Sequence, residues 1–332
     1  MAAQKFAEDR YDKMAYRRCG RRGVKLPVVS LGLWQSLGES GNQQVCRKCC
    51  YYAFDHGITH FDLANNYGLP PGNSETVFGK IVKDMPRDEL IISTKAGFYM
   101  WPGPYGDWGS KKYLVASLDQ SLRRMGLEYV DIFYHHRLDP DTPLEETMAA
   151  LDLIVRQGKA LYAGVSNYPG ARFTDAVNVI RQHDWTPLFI HQAAYNMFRR
   201  RVETDLLPHT DRESVGVIAF CPLDQGKLTD RYLDGLPADS RMGRNPSRGQ
   251  GWYDKQKADG VWDKVTRLNE VAKSRGQTMA QLALTWTMRD PRVTSVLIGV
   301  SKVEQLADNI AVAQAPPLTV DELAEIDRIL GE

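Results

Sequence analysis

Asp62, Tyr67, Lys95 and His136 are the residues of this chain whose types and placing carry chemistry. Each lies at the C-terminal end of a short apolar run or just past one. The runs read His60-Phe61-Asp62-Leu63-Ala64, Leu90-Ile91-Ile92-Ser93-Thr94-Lys95 and Val130-Asp131-Ile132-Phe133-Tyr134-His135-His136. A carboxylate, a phenol, an ammonium and an imidazole converging on one pocket make a proton-donor site. A free phenol has a pKa of about 10, too high for an efficient acid near neutrality. A nearby ammonium favours phenolate, so Lys95 is expected to lower that value. Asp62 is expected to pair with Lys95 and orient it, and His136 to hydrogen-bond a substrate oxygen and help relay the proton. A plainer reading makes Tyr67 and His136 loop residues and Asp62–Lys95 a structural ion pair. Four such groups at the ends of successive strands favour the chemical one. Strand alternation alone does not say whether His135 or His136 faces inward.

The elements that must position these groups follow from the apolar pattern. Eight strand-like runs occur: Val28–Leu33, His60–Ala64, Leu90–Ala96, Val130–His136, Leu161–Ser166, Leu188–Tyr195, Val215–Phe220 and Val296–Ser301. Segments with helical spacing separate most of them, and one opens on Thr142-Pro143 with Glu145 and Glu146 in its first turn. Strand and helix alternating eight times is the pattern of a parallel (β/α)8 barrel, whose active sites lie at the C-terminal ends of the strands. Tyr16–Cys19 and Gly23–Leu26 flank Gly20 and predict an N-terminal β-hairpin closing the barrel floor. Residues 1–15 read as a polar tail and 16–332 as a single barrel domain. Two connections are loaded with unusual residues. Gly97 to Trp108 is rich in aromatics and reads as a pocket wall. Leu223 to Gly260 is long, irregular and rich in Gly, Pro, Asp and Arg, as functional loops are.

Composition narrows the classes. The 332 residues carry a net charge of +1, without the basic excess that draws nucleic acid or an anionic membrane. The N-terminus lacks the apolar core of a signal peptide, and no stretch has the apolar length of a bilayer span. Five cysteines, an odd number without export signals, point to reduced thiols in the cytoplasm. Cys46, Cys49 and Cys50 are expected to be packed thiols of the first barrel helix, since no second pair of metal ligands follows. No metal is expected.

Other chemistries have weaker support. No G-x-G-x-x-G occurs, which argues against a doubly wound dinucleotide domain. Tyr253-x-x-x-Lys257 has the spacing of short-chain dehydrogenases but sits in a polar stretch with no strand before it. Lys95 permits a Schiff base, which would leave the tyrosine idle. A metal site from His60, Asp62, His135 and His191 is possible on paper, but His60 lies deep, where packed histidines are usual.

The motifs as a set resemble the aldo-keto reductases. Phe61-Asp62-Leu63-Ala64-Asn65-Asn66-Tyr67-Gly68, Ser93-Thr94-Lys95, His136-Arg137, Gly164-Val165-Ser166-Asn167-Tyr168, His191-Gln192, Pro222-Leu223 and Ile298-Gly299-Val300-Ser301-x-x-x-Gln305-Leu306-x-x-Asn309 occur in that family's order. The likeness leans toward bacterial reductases of glyceraldehyde 3-phosphate, with the potassium-channel β subunits more distant. It implies NADPH-dependent reduction of small aldehydes of the glyceraldehyde 3-phosphate and methylglyoxal type, with Asp62, Tyr67, Lys95 and His136 as catalytic tetrad and Tyr67 as proton donor. The His-Arg pair selects His136 and leaves His135 facing outward. By the same resemblance Ser166, Asn167 and Gln192 hold the nicotinamide carboxamide, and Phe220 stacks on its ring. Cys221, Pro222, Leu223 and Gln225 line the pyrophosphate path, beneath Arg231, Ser240 and Arg241 of the late loop. Gly299, Ser301, Gln305, Asp308 and Asn309 fall at the adenosine and 2′-phosphate end, where a helix starting near Lys302 points its N-terminus. Asp224 departs from the likeness and places a negative charge beside the pyrophosphate. Trp34 and Trp101 are expected to wall the substrate pocket, and Arg137 is a candidate to meet a substrate phosphate. A homo-oligomer, tetramer or octamer, is in keeping with the likeness.

Overall fold

A computed structural model describes residues 4–34, 43–240, 242–245, 247 and 249–331. A two-stranded antiparallel hairpin comes first, β1 (Tyr16–Arg18) and β2 (Lys25–Pro27). Eight parallel strands follow: β3 (Val29–Gly32), β4 (His60–Asp62), β5 (Ile91–Ala96), β6 (Val130–His135), β7 (Ala160–Ser166), β8 (Leu188–Ala194), β9 (Gly216–Phe220) and β10 (Val293–Ile298). They close into a barrel in sequence order, with β10 hydrogen-bonded back to β3. Helices cover the outside, and the sequence explains where they start and stop. Ser110 caps the helix Lys111–Met125 by accepting from the Tyr113 N–H, and Gly126, in the left-handed region, ends it. The helix Leu144–Arg156 begins after Pro143 and carries Glu145 and Glu146 in its first turn.

Strand alternation splits the side chains between the barrel interior and the helix-facing layer. On β6, Ile132 and Tyr134 point inward while Phe133 packs outward with the helices. The interior is not uniform. Its β6–β10 side is filled by Ile132, Tyr134, Ile190, Ile218 and Leu297. Its β3–β5 side, joined by Ser295 of β10, holds Ser30, His60, Asp62, Ser93 and Lys95, all with no exposed surface. The hairpin closes the floor with Cys19 and Leu26. Gly216 must lack a side chain there, because a Cβ would fall 2.2 Å from Cys19 Sγ.

Beyond shifts of one or two residues at other strand ends, the structure departs from the sequence reading in three places. β10 begins at Val293 and ends at Ile298, three residues before the expected span, because Thr294 and Ser295 are buried strand residues despite their polarity. The connection after β9 is less irregular than its composition suggests. It contains the helix Gly249–Ala258, whose Trp252 packs with Tyr232 and Trp262. Residues 4–15 lie against the barrel: Phe6 meets Tyr51 and Phe54 edge-on, and the Ala7 N–H donates to Asp55.

Candidate active site

The C-terminal end of β4 and the turn behind it set the first two groups. Asp62 ends the strand. Tyr67 follows in a tight turn, its N–H donating to the Ala64 carbonyl and its own carbonyl accepting from the Gly72 and Ser74 N–H groups. That ties Tyr67 to the start of the helix Asn73–Val82. Lys95 projects from β5 beneath it. Its Nζ donates to Asp62 Oδ2 at 2.5 Å and to the Leu63 carbonyl at 2.6 Å, and lies 5.0 Å from the centre of the Tyr67 ring. Asp62 Oδ1 accepts from Ser93 Oγ at 2.6 Å and from Gln192 Nε2 at 3.1 Å.

His136 follows β6 at the mouth. Its ring packs edge-on against Tyr67, with centres 5.9 Å apart, and against Phe98 at 4.7 Å. Its Nδ1 is buried with no hydrogen-bond partner among the described residues. His135 points the other way and shares a 2.7 Å hydrogen bond with the Tyr168 hydroxyl. The choice between the two that alternation left open is thus made by position: only His136 stands beside Tyr67.

The electrostatics differ from the sequence expectation in one respect. Burial, with the Asp62 carboxylate and Cys221 adding to it, pushes the Tyr67 phenol well above its ordinary value. The shift is upward despite Lys95, whose ammonium faces the ring but gives its hydrogen bonds to Asp62 and Leu63. Burial also lowers the Lys95 ammonium, against the opposing pull of Asp62. Burial, with Lys95 next, holds His136 well below its ordinary value, so its imidazole is neutral. The site is a protonated phenol and a neutral imidazole above a compensated ion pair. Lys95, fully buried, has no open path to a substrate carbon.

The cofactor candidates gather on the adjoining strand ends. Asn167, held at φ 61°, donates from Nδ2 to Ser166 Oγ and to the His136 carbonyl. Gln192 reaches Asp62, and the half-buried Phe220 ends β9 next in order round the barrel. Cys221 and Gln225 have positive φ, with Pro222 and Leu223 between them in a tight loop. The added Asp224 is buried and compensated, with Lys227 Nζ 2.6 Å from one oxygen and Arg199 Nε 3.5 Å from the other. Arg231 pairs with Asp239, and Ser240 Oγ accepts from the Gly243 N–H, so both fold the late loop onto itself. Arg241 lies outside the described residues. Gly299 has open space where a Cβ would stand. Ser301 donates to Gln305 Oε1 from both N–H and hydroxyl, at the start of the helix Val303–Ile310. Asn309 is buried in that helix, and Asp308 accepts from Thr278 and Gln281, tying it to its neighbour.

At the mouth, Trp34 is 46% exposed and stands 6.2 Å from the Tyr67 ring. Trp101 packs on Tyr113, 5.1 Å centre to centre. Arg137 is held between Phe98 and Trp108, donates to the Gly97 carbonyl and pairs with Asp107 at 2.8 Å. Its charge is therefore engaged within the protein. Cys46, Cys49 and Cys50 are buried in the helix Gln43–Asp55, and Tyr253 stacks on Trp262 away from the tetrad. Ser30 and Ser295 were not singled out by the sequence reading, and Ser93 entered only within the Ser93-Thr94-Lys95 motif, since a lone serine in an apolar run has no spacing signal.

A model of the aldo/keto reductase family matches residues 28–331. The chain belongs to the aldo/keto reductase family. This reductase is 51% identical over 329 residues to L-glyceraldehyde 3-phosphate reductase of Escherichia coli (strain K12), covering 98% of this chain and 94% of that protein. It is 35% identical over 322 residues to a putative voltage-gated potassium channel subunit beta of Schizosaccharomyces pombe, covering 95% and 93%. The protein is an oxidoreductase, and its family generally uses nicotinamide cofactors. Among the described residues, no helix is long and apolar enough to cross a membrane.

Proposed function

We propose that the protein reduces small aldehydes to alcohols with NADPH, Tyr67 giving the proton. The observation that carries this is the Asp62–Lys95 pair buried under the Tyr67 ring, with His136 beside it. NADPH, when bound, supplies the hydride that reaches the carbonyl carbon. Tyr67 delivers its proton to the carbonyl oxygen as negative charge develops there. A raised phenol pKa suits this order, because the phenol stays protonated until it meets an alkoxide, a far stronger base than phenolate. Lys95 then stabilises the phenolate that remains, and neutral His136 orients the oxygen by hydrogen bonding. The residues fit a nicotinamide nucleotide. Ser166, Asn167 and Gln192 offer amide and hydroxyl groups beside the tetrad, and Phe220 offers a flat face. The open space at Gly299 and the helix end at Lys302, which has no side-chain cap, suit the phosphate end.

The substrate class comes from the similarity to the Escherichia coli reductase: glyceraldehyde 3-phosphate and, by its size, methylglyoxal. Five cysteines, an odd number, support a reducing, cytoplasmic setting. The reading takes residues 16–332 as one catalytic unit that assembles as a homo-oligomer. NADPH oxidation with both aldehydes, run on wild type and Tyr67→Phe, tests the reading. Turnover is expected to fall about 10²–10⁴-fold in the variant with NADPH binding retained. Equal turnover in the two proteins would reject Tyr67 as donor.

A further inference from the structure

The polar side of the barrel holds a hydrogen-bonded chain running from β10 to the catalytic carboxylate. Ser295 Oγ is 2.7 Å from Ser30 Oγ, and Ser30 Oγ is 2.9 Å from His60 Nδ1. His60 Nε2 is 3.0 Å from Ser93 Oγ, which is 2.6 Å from Asp62 Oδ1. None of these side chains has exposed surface. The direction of every bond follows from its end. The Asp62 carboxylate accepts, so Ser93 donates to it and has no proton left for His60. His60 Nε2–H therefore donates to Ser93. Burial pushes His60 down to about 4, so the ring is neutral, and its Nδ1 accepts from Ser30. Ser30 in turn accepts from Ser295. All donors point toward Asp62, and one tautomer of His60 satisfies the chain.

We propose that His60 is a positioning residue of the reductase site, acting through Ser93 to fix the Asp62 carboxylate and, through it, the Lys95 ammonium beneath Tyr67. This rests on the tetrad reading above. Its physical content is that Asp62 Oδ1 is held by two neutral donors, Ser93 and Gln192, leaving Oδ2 aimed at Lys95. The charged groups facing His60 are Asp62 and Lys95 themselves, so removing His60 disturbs the pair it sits under. A histidine that only filled space would have no required tautomer and no link to turnover.

Nitrogen NMR of ¹⁵N-histidine-labelled wild type tests the chain without any assay. His60 is expected to hold the Nε2–H form, without titrating, from pH 8 down to about 5. The Nδ1–H form, or titration near the ordinary value, would overturn the assignment. Kinetics test the consequence. His60→Leu and Ser93→Ala are expected to lower kcat about tenfold or more, with aldehyde KM and NADPH affinity changed by about twofold at most. The alkaline limb of the kcat profile should move, because the Asp62 carboxylate that sets the Lys95 charge is no longer held on its Oδ1 side. His60→Gln, which keeps one donor and one acceptor, should recover most of kcat. A folded His60→Leu with wild-type kcat and pH profile overturns the proposal, as does a His60→Gln no better than it. If His60→Leu does not fold, Ser93→Ala, which deletes one hydroxyl, decides in the same way. A wild type inactive on every aldehyde would instead reject the tetrad reading, leaving the tautomer result to stand by itself.

Discussion

The two sides of the barrel interior solve the same packing problem with opposite chemistry. On β6–β9, Ile132, Ile190 and Ile218 fill the space, and Gly164 makes room for Tyr134: a Cβ there would lie 2.6 Å from the ring. On β3–β5, Ser30, His60, Ser93, Asp62 and Lys95 fill it with hydrogen bonds. Apolar filling is stable and tolerant of small changes. Polar filling stabilises only when every group is satisfied, and one missing partner leaves a buried polar atom with nothing to bond. The site has been built on the less forgiving side. What that side gains is a carboxylate and an ammonium fixed in place with no exposed surface.

The sharpest break is Asp62→Leu, which strands the Lys95 ammonium in the barrel. Denaturant unfolding should show a loss of about 3–5 kcal/mol, and the double change Asp62→Leu with Lys95→Met should recover much of it without recovering turnover. A double variant as unstable as the single one would mean that the pair is not the source of the loss.

Acid comes next. His60 inside the polar side, and His135 and His191 behind the other, are each held by burial at about 4 against an ordinary 6.5. Below about 6.5 the unfolded chain takes up protons that the folded chain refuses until about 4. Stability is therefore full above that window and falls through it as pH drops, by about 1.4 kcal/mol per pH unit for each histidine. Unfolding curves at pH 7 and 5 measure the slope, which should be shallower in His60→Gln. An unchanged slope would mean that His60 does not contribute.

The smallest effect belongs to the apolar side. Ile218→Val should cost about 0.5–1.5 kcal/mol and leave kcat unchanged. A drop in kcat to match that of Ser93→Ala would erase the distinction between the two sides.

The sequence displayed the alternation of the barrel plainly, because each strand is a compact apolar run, and strand-end position was enough to bring Asp62, Tyr67, Lys95 and His136 together. Polar residues inside strands defeated the same logic. Thr294 and Ser295 pushed the expected last strand three residues late, hiding Ser295. The helix Gly249–Ala258 was hidden by its opening Gly-Gln-Gly and by a nearly absent buried face. The direction of the Tyr67 shift was illegible for another reason: it depends on how deeply the phenol is covered.

The seam between β3 and β10 has a consequence in time. The Ser30–Ser295 bond joins residues 265 apart in the chain, the kind of contact that forms late and slows folding. Synthesis runs from the N-terminus, so all four tetrad residues leave the ribosome well before Ser295. A nascent or truncated chain ending before Val293 carries the reactive groups but neither the closed barrel nor the far end of the chain that reaches Asp62. On the proposed reading of the tetrad, catalytic competence arrives with the last strand rather than growing as each residue is added.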